Sequence, residues 1–384
     1  MSLRLKIFFM ALMTLALAFG FLNALYPAEG YSFARLHIFL FNLCTGCTIL
    51  LYFSEPYRNP SPRVLAFLFL TLTYAVSAFL EIYLPVVLVT PVLVAIVERI
   101  RIKRFSFFPW DFFSSRTPVS AKFHQAALLC LSMGLTIAGL VILNNEYYLV
   151  LNISKLNLNV FFLGFSFPLT LITMSLIFSI MEEDGRQLLF RKNLAFWLIN
   201  LGVITFFIFI LAQLFIPQVL ISLVLFGAVL LVFHMFAHMR RDLQQKRFLI
   251  SGMGFLMITA ITGVLYIMLE FSPGYRPESV KWILQLHAFT SLYGWNLCGL
   301  AIICRFYDFP IRLHSTMLIV LHWMTVLILA PLGCYFPGFS VLALAGYTAF
   351  LGVMLFSQAT RKAPAIAEKV LQTRLATAQT GGIP

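Results

Sequence analysis

Long apolar runs recur along this chain of 384 residues with so little between them that they set the whole fold. They fall at about residues 7–26, 36–53, 63–82, 84–98, 124–143, 158–181, 194–214, 217–238, 248–270, 282–304, 314–335 and 338–358. Most approach the roughly 20 residues that carry a helix across a hydrocarbon core of about 30 Å. Backbone polar groups in lipid must be satisfied within the protein, which leaves helices or closed barrels. The runs are continuous rather than alternating over short segments, so a barrel is excluded. With 61% hydrophobic and only 11% charged residues, no soluble core would hide the apolar surface. The expected fold is all-α: a polytopic transmembrane helical bundle of about twelve spans over residues 1–360. A basic tail follows at 361–384, first amphipathic and then disordered, on the cytoplasmic side.

The first run follows Arg4 and Lys6, as a signal peptide would. It exceeds a typical signal core and lacks a cleavage site before Pro27, so it reads as a retained helix. Twelve spans return the C-terminus to the side of the N-terminus. If that side is the cytoplasm, only Arg35, Lys155, Arg276 and Lys281 lie outside, and the inner segments hold 23 of the 27 Lys and Arg. This is the positive-inside pattern, and it places both termini in the cytoplasm of a multi-pass inner-membrane protein. The +13 net charge is thus topological, which removes nucleic acid as a partner and leaves the lipid bilayer. Basic residues beside aromatics between Arg99 and Lys122 suit a loop that hugs the headgroup region. The fourth span is short and holds Pro85 and Pro91, as a re-entrant or kinked segment would. All six cysteines fall inside predicted helices, which argues against a disulfide framework.

The tenth span, Trp282 to Arg305, carries Gln285, His287, Thr290, Ser291, Tyr293 and Asn296 among its apolar residues. Ionisable groups at such depth mark functional sites. The second span echoes it: both read Leu-His-x-Phe, with Asn-Leu-Cys further along at 42–44 and 296–298. At 1.5 Å per residue, His37 and His287 lie about 3 and 8 Å inside the outer boundary, and His322 about 12 Å inside the inner one. Two imidazoles at matched depth on separate helices suit axial ligation of a heme iron. Simple hydrogen bonding to neighbouring helices is the competing explanation. His124 and His314 sit at inner helix ends, where interfacial solvation accounts for them. His234 and His238, spaced i, i+4, share a face and read as an interfacial pair before a metal site. Cys44 and Cys47 read as small packing residues. Glu81 and Glu270 close outer helix ends, with Lys281 or Arg276 as partners.

The segment His287-Ala-Phe-Thr-Ser-Leu-Tyr-Gly-Trp resembles the tenth helix of heme–copper oxidase subunit I, where a His-x-His pair precedes Leu-x-Gly-Trp. Aligned on Gly294-Trp295, His287 takes the first histidine and Phe289 replaces the second. The run Arg-Leu-His-Ile-Phe-Leu-Phe from Arg35 resembles that family's second helix, whose outer-side histidine binds the low-spin heme. The chain also resembles NnrS-type proteins, a twelve-helix heme and copper family with a Leu-His-Ala-x-Thr tenth helix ending in Arg, here Leu286 to Thr290 and Arg305. The oxidases take copper ligands from their sixth and seventh helices, and neither of those spans holds a histidine here. The resemblance therefore implies heme and disfavours copper, without an oxygen-reducing binuclear centre.

The expected function is an integral membrane heme protein in electron transfer or in handling O2 or NO; as an enzyme it would be a degenerate oxidoreductase. His37 and His287 hold one heme near the outer face, with His322 as a further metal ligand. Phe289 and Tyr293 supply flat walls, Gly46 and Gly294 allow close approach, and Arg35 stands at the rim for propionates. Partners would be other membrane subunits, or a redox partner at the outer face. Two other classes compete: a secondary transporter, its helices unwound at Pro/Gly breaks in spans 4, 6 and 9, and a non-catalytic accessory subunit of a membrane complex. The near absence of midplane charge weighs against the transporter.

Overall fold

The computed structural model describes residues 1–26, 31–57, 59–152, 155, 162–181, 185–239, 243–306, 313 and 315–358. His314, the acidic stretch at 182–184 and the tail at 361–384 lie outside them. The described residues form helices and no strand. In chain order these are α1 (Leu3–Leu25), α2 (Phe33–Ser54), α3 (Pro62–Phe79), α4 (Tyr83–Arg104), α5 (Val119–Tyr148) and α6 (Phe162–Ile180). Then come α7 (Arg186–Leu211), α8 (Phe215–Ala237), α9 (Gln244–Glu270), α10 (Pro277–Cys304), α11 (Thr316–Gly333) and α12 (Pro337–Phe356). Eleven of them are long and apolar enough to cross a membrane, and α6 is the shorter apolar one. This is a multi-pass, membrane-embedded helical protein.

Helix starts follow local chemistry. The Ser2, Ser32 and Ser61 side chains accept from backbone N–H groups of the first turn of α1, α2 and α3. Proline occupies the first turn of α3, α10 and α12, where its missing N–H is not needed. The fourth span is uninterrupted: α4 runs 22 residues through Pro91. Likewise α6 continues past Pro168 and α9 past its glycines. In α9, Gly252 and Gly254 meet the side chains of Cys298 and Trp323, so these positions serve close packing rather than unwinding.

Burial separates the helices into a centre and a periphery. The most apolar stretch of α2 is 94% buried and that of α10 is 78%, against 22% for α7 and 28% for α8. Thus the two helices carrying the echoed motif form the middle of the bundle, and α7 and α8 turn Leu201, Ile204, Ile208, Ile216 and Leu220 outward, as lipid contact requires. The 105–113 loop exposes Phe107, Phe108, Trp110 and Phe113, in keeping with a headgroup-level loop. Arg101 anchors it: its guanidinium donates to Glu98 Oε2 at 2.9 and 2.6 Å and to the carbonyls of Ser106 and Phe107 at 3.1 and 3.0 Å.

The glutamates at the opposite end pair differently from expectation. Glu81 lies 3.7 Å from Arg35, and Lys155 donates to Glu270 at 2.5 Å. Arg35 comes from the first turn of α2 and Lys155 from the segment between α5 and α6, partners that sequence spacing does not reveal.

Four of the described helices are locally under-wound: α5 ends in a π-helical turn at Asn144–Tyr148, and the turns of the other three lie inside their helices. These internal turns occupy Phe39–Cys47 in α2, Thr290–Asn296 in α10 and Thr325–Leu329 in α11. Each of these three begins two or three residues after a histidine, His37, His287 and His322 respectively. Such turns are rare and often lie at functional sites.

Candidate functional site

Tyr293, in the π-helical turn of α10, is the centre of the polar interior. Its hydroxyl lies 2.9 Å from His37 Nδ1, and its carbonyl accepts from His322 Nε2 at 2.6 Å. Phe41 packs on the Tyr293 ring at 4.8 Å and Tyr347 meets it edge-on at 5.1 Å. His322, fully buried, stacks on Phe350 at 4.2 Å. The second, tenth and eleventh spans thus converge on one tyrosine.

The histidines share a mode of anchoring. His37 Nδ1 also lies 2.7 Å from the Ala16 carbonyl in α1, and His287 Nδ1 lies 3.0 Å from the Thr259 carbonyl in α9. A carbonyl only accepts, so the proton sits on Nδ1 in both rings and on Nε2 in His322. Each imidazole is therefore fixed in one tautomer with its other nitrogen presenting a lone pair. For His322 that nitrogen, Nδ1, is buried and has no hydrogen-bond partner. Tyr347 Oη is likewise buried without a partner.

The sockets match too. Four residues beyond each accepting carbonyl stands a glycine: Gly20 after Ala16, Gly263 after Thr259. A Cβ at Gly20 would stand 2.8 Å from His37 Nδ1, and one at Gly263 would stand 3.3 Å from His287 Cε1. An imidazole reaching a helix carbonyl lies over the side-chain position one turn on, so that position has to be empty. Ala16, Gly20 and Thr259 were not singled out in the sequence, and Gly263 only as a candidate break in the ninth span. The readable trace is a small residue four positions before a glycine on a neighbouring span, a pattern too common to identify alone.

The expected site residues divide accordingly. His37, Tyr293 and His322 are brought together, and Phe289 adjoins them, 6.2 Å from Tyr293 and 6.0 Å from Phe21 of α1. His287 faces Thr259, Thr262 and Gly263 of α9, whereas His37 faces α1, so the two rings occupy separate sockets. Arg35 is buried, donating to the Ala78 carbonyl at 2.8 Å and to Tyr83 at 3.4 Å, where it ties α2 to α3 and α4. Gly46 and Gly294 do not open onto free space: they admit the side chains of Leu169 and Phe255. Thr290 bonds Thr259 at 2.9 Å, Trp295 bonds Thr170 at 3.1 Å and Asn296 bonds Ser166 at 2.8 Å. Most polar residues of the tenth span are thus interhelical clasps.

Other candidates settle simply. His124 is buried rather than interfacial: it lies 2.7 Å from Ser54 Oγ and stacks on Phe53 at 5.6 Å. The His234 and His238 rings lie 4.2 Å apart, and Nδ1 of His238 donates to the His234 carbonyl. All six cysteines are free, and Cys44 Sγ donates to the Thr71 carbonyl. Among the described residues no three His, Cys, Asp or Glu come together as a metal-holding group. Comparisons with family models, curated proteins and solved structures find no match to the chain.

Proposed function

We propose that this chain is an integral membrane heme protein, of heme–copper-oxidase-like or NnrS-like type, in electron transfer or diatomic-gas handling. One observation carries the reading: three intramembrane imidazoles, each held by a carbonyl through one nitrogen and presenting the other as a lone pair. Metal-ligating histidines characteristically donate their second N–H in this way, which fixes the tautomer and raises ligand basicity. A protein-only zinc or copper site asks for three or four ligands. A heme iron asks for one or two axial side chains, and so heme suits this donor set better. A heme, when bound, supplies a one-electron couple or a gas-binding iron. The chain contributes the rest: Ala16 and Thr259 hold the protons at Nδ1, Tyr293 tunes His37, and the aromatic lining excludes water.

The test is a reduced-minus-oxidised spectrum of protein purified from heme-replete cells, with pyridine-hemochrome stoichiometry. A Soret band at close to one heme or more per chain is expected; a colourless protein would end the proposal. That outcome would leave the accessory-subunit reading and the transporter, whose expected broken helices are continuous in α6 and α9.

For topology we propose twelve spans with both termini and the Arg99–Lys122 loop in the cytoplasm, from the 23-to-4 distribution of Lys and Arg. Single cysteines introduced at Ser2 and Asn152 are expected to label from opposite sides of the inner membrane. Labelling of both from one side refutes the twelve-span arrangement.

A further inference from the structure

At the basic end of the bundle, the C-terminus of α2, the N-terminus of α3 and the last turn of α4 enclose a pocket of about 180 Å³. Its wall combines Arg63, Lys103 and Arg104 with Glu55, Ser54 and Ile100. Glu55 is the charge left unmatched. Glu55 is only 7% exposed, yet its carboxylate makes no salt bridge among the described residues and Oε2 has no hydrogen-bond partner. Arg104 is turned aside to the Ser54 carbonyl at 3.1 Å. A buried carboxylate oxygen without a donor is costly in a finished core and signals a missing cation or donor.

We infer that this pocket binds the headgroup of a zwitterionic aminophospholipid, the phosphate of phosphatidylethanolamine lying against Arg63 and Lys103 and its ammonium against Glu55. The two halves of the wall ask for opposite charges within one small ligand. A phosphodiester alone would meet two cations but face Glu55 as a like charge, and a simple cation would meet the reverse. The position suits a lipid: Ile100 stands in the wall, and Tyr57, Leu65 and Ile102, each near a lining residue in the chain, are exposed apolar side chains. The volume falls well below the roughly 300–1,000 Å³ that enclose drug-sized ligands, which excludes a nucleotide. The site is distinct from the histidine cluster and does not depend on heme.

Native mass spectrometry tests this with the full chain, released from nanodiscs of equimolar phosphatidylethanolamine and phosphatidylglycerol. One phosphatidylethanolamine is expected to remain bound in about tenfold preference to phosphatidylglycerol, as charge-assisted contacts to both headgroup charges predict. Glu55→Gln keeps the shape but loses the ammonium partner and should bring the ratio to near one. Lys103→Gln, at an exposed position, should lower retention of both lipids. Soluble phosphoethanolamine competing as well as the lipid would show that the headgroup alone is the ligand. Equal retention of both lipids by the unaltered chain overturns the inference, as does an unchanged ratio in Glu55→Gln. Unfolding temperatures of both variants, measured in parallel, separate a lost site from a lost fold.

Discussion

His37→Ala is expected to remove the low-spin heme spectrum almost entirely while the protein still folds. His37 is the one imidazole of the cluster anchored twice at Nδ1, by the Ala16 carbonyl at 2.7 Å and the Tyr293 hydroxyl at 2.9 Å. Its Nε2 would thereby be the donor to the iron. Tyr293→Phe should keep the heme yet weaken it about 10- to 100-fold, the usual effect of losing an outer-shell partner of a ligating histidine. His287→Ala separates two arrangements. Loss of the Soret band there means that both helices ligate one iron, despite their separate sockets in α1 and α9. Unchanged bands remove His287 from ligation. A folded His37→Ala protein with its full spectrum would show that the ligand lies elsewhere, and His322, with Nδ1 unpartnered, would be the next to test.

Arg101→Met is expected to be the most destabilising single change outside the cluster. Arg101 is 3% exposed, and its guanidinium serves Glu98 and two loop carbonyls at once. Removing it leaves an uncompensated carboxylate and two acceptors without their donor. Breaking a buried pair this way costs about 3–5 kcal/mol. The lower end applies, since Glu98 is 24% exposed and solvent screens it. Thermal unfolding in detergent should show the loss, together with protease sensitivity between Phe105 and Arg116. Arg101→Lys should recover little, because an ammonium cannot span the fork. A variant within about 1 kcal/mol of the unaltered protein would show that the 105–113 loop holds itself in place.

The heme reading and the lipid site ask different things of the same bundle, and the structure separates them by position. Histidine chemistry gathers where α2, α10 and α11 meet, and the charged pocket where α2, α3 and α4 end. Substitutions in one are expected to be silent in the other, apart from effects on stability.

By itself the sequence determined that the chain is helical and membrane-embedded, because a run of apolar residues in lipid has no other way to satisfy its backbone. It also picked out the second and tenth spans, since polar residues amid such runs point inward, and these are the most buried helices. It found His37, Tyr293 and His322 as residues of interest. What it did not contain was their grouping. Face arithmetic at 3.6 residues per turn fails across the π-helical turns at Phe39–Cys47, Thr290–Asn296 and Thr325–Leu329, which rotate everything beyond them. Matched depth suggested His37 with His287; it did not show that Ala16 with Gly20 and Thr259 with Gly263 build a separate socket for each ring. Arg35 sat where a propionate partner was expected, yet the nearby Ala78 carbonyl claimed it. Depth along a helix is a one-dimensional quantity that sequence supplies. Which side chain meets which across helices depends on packing, and only the tertiary structure decided that.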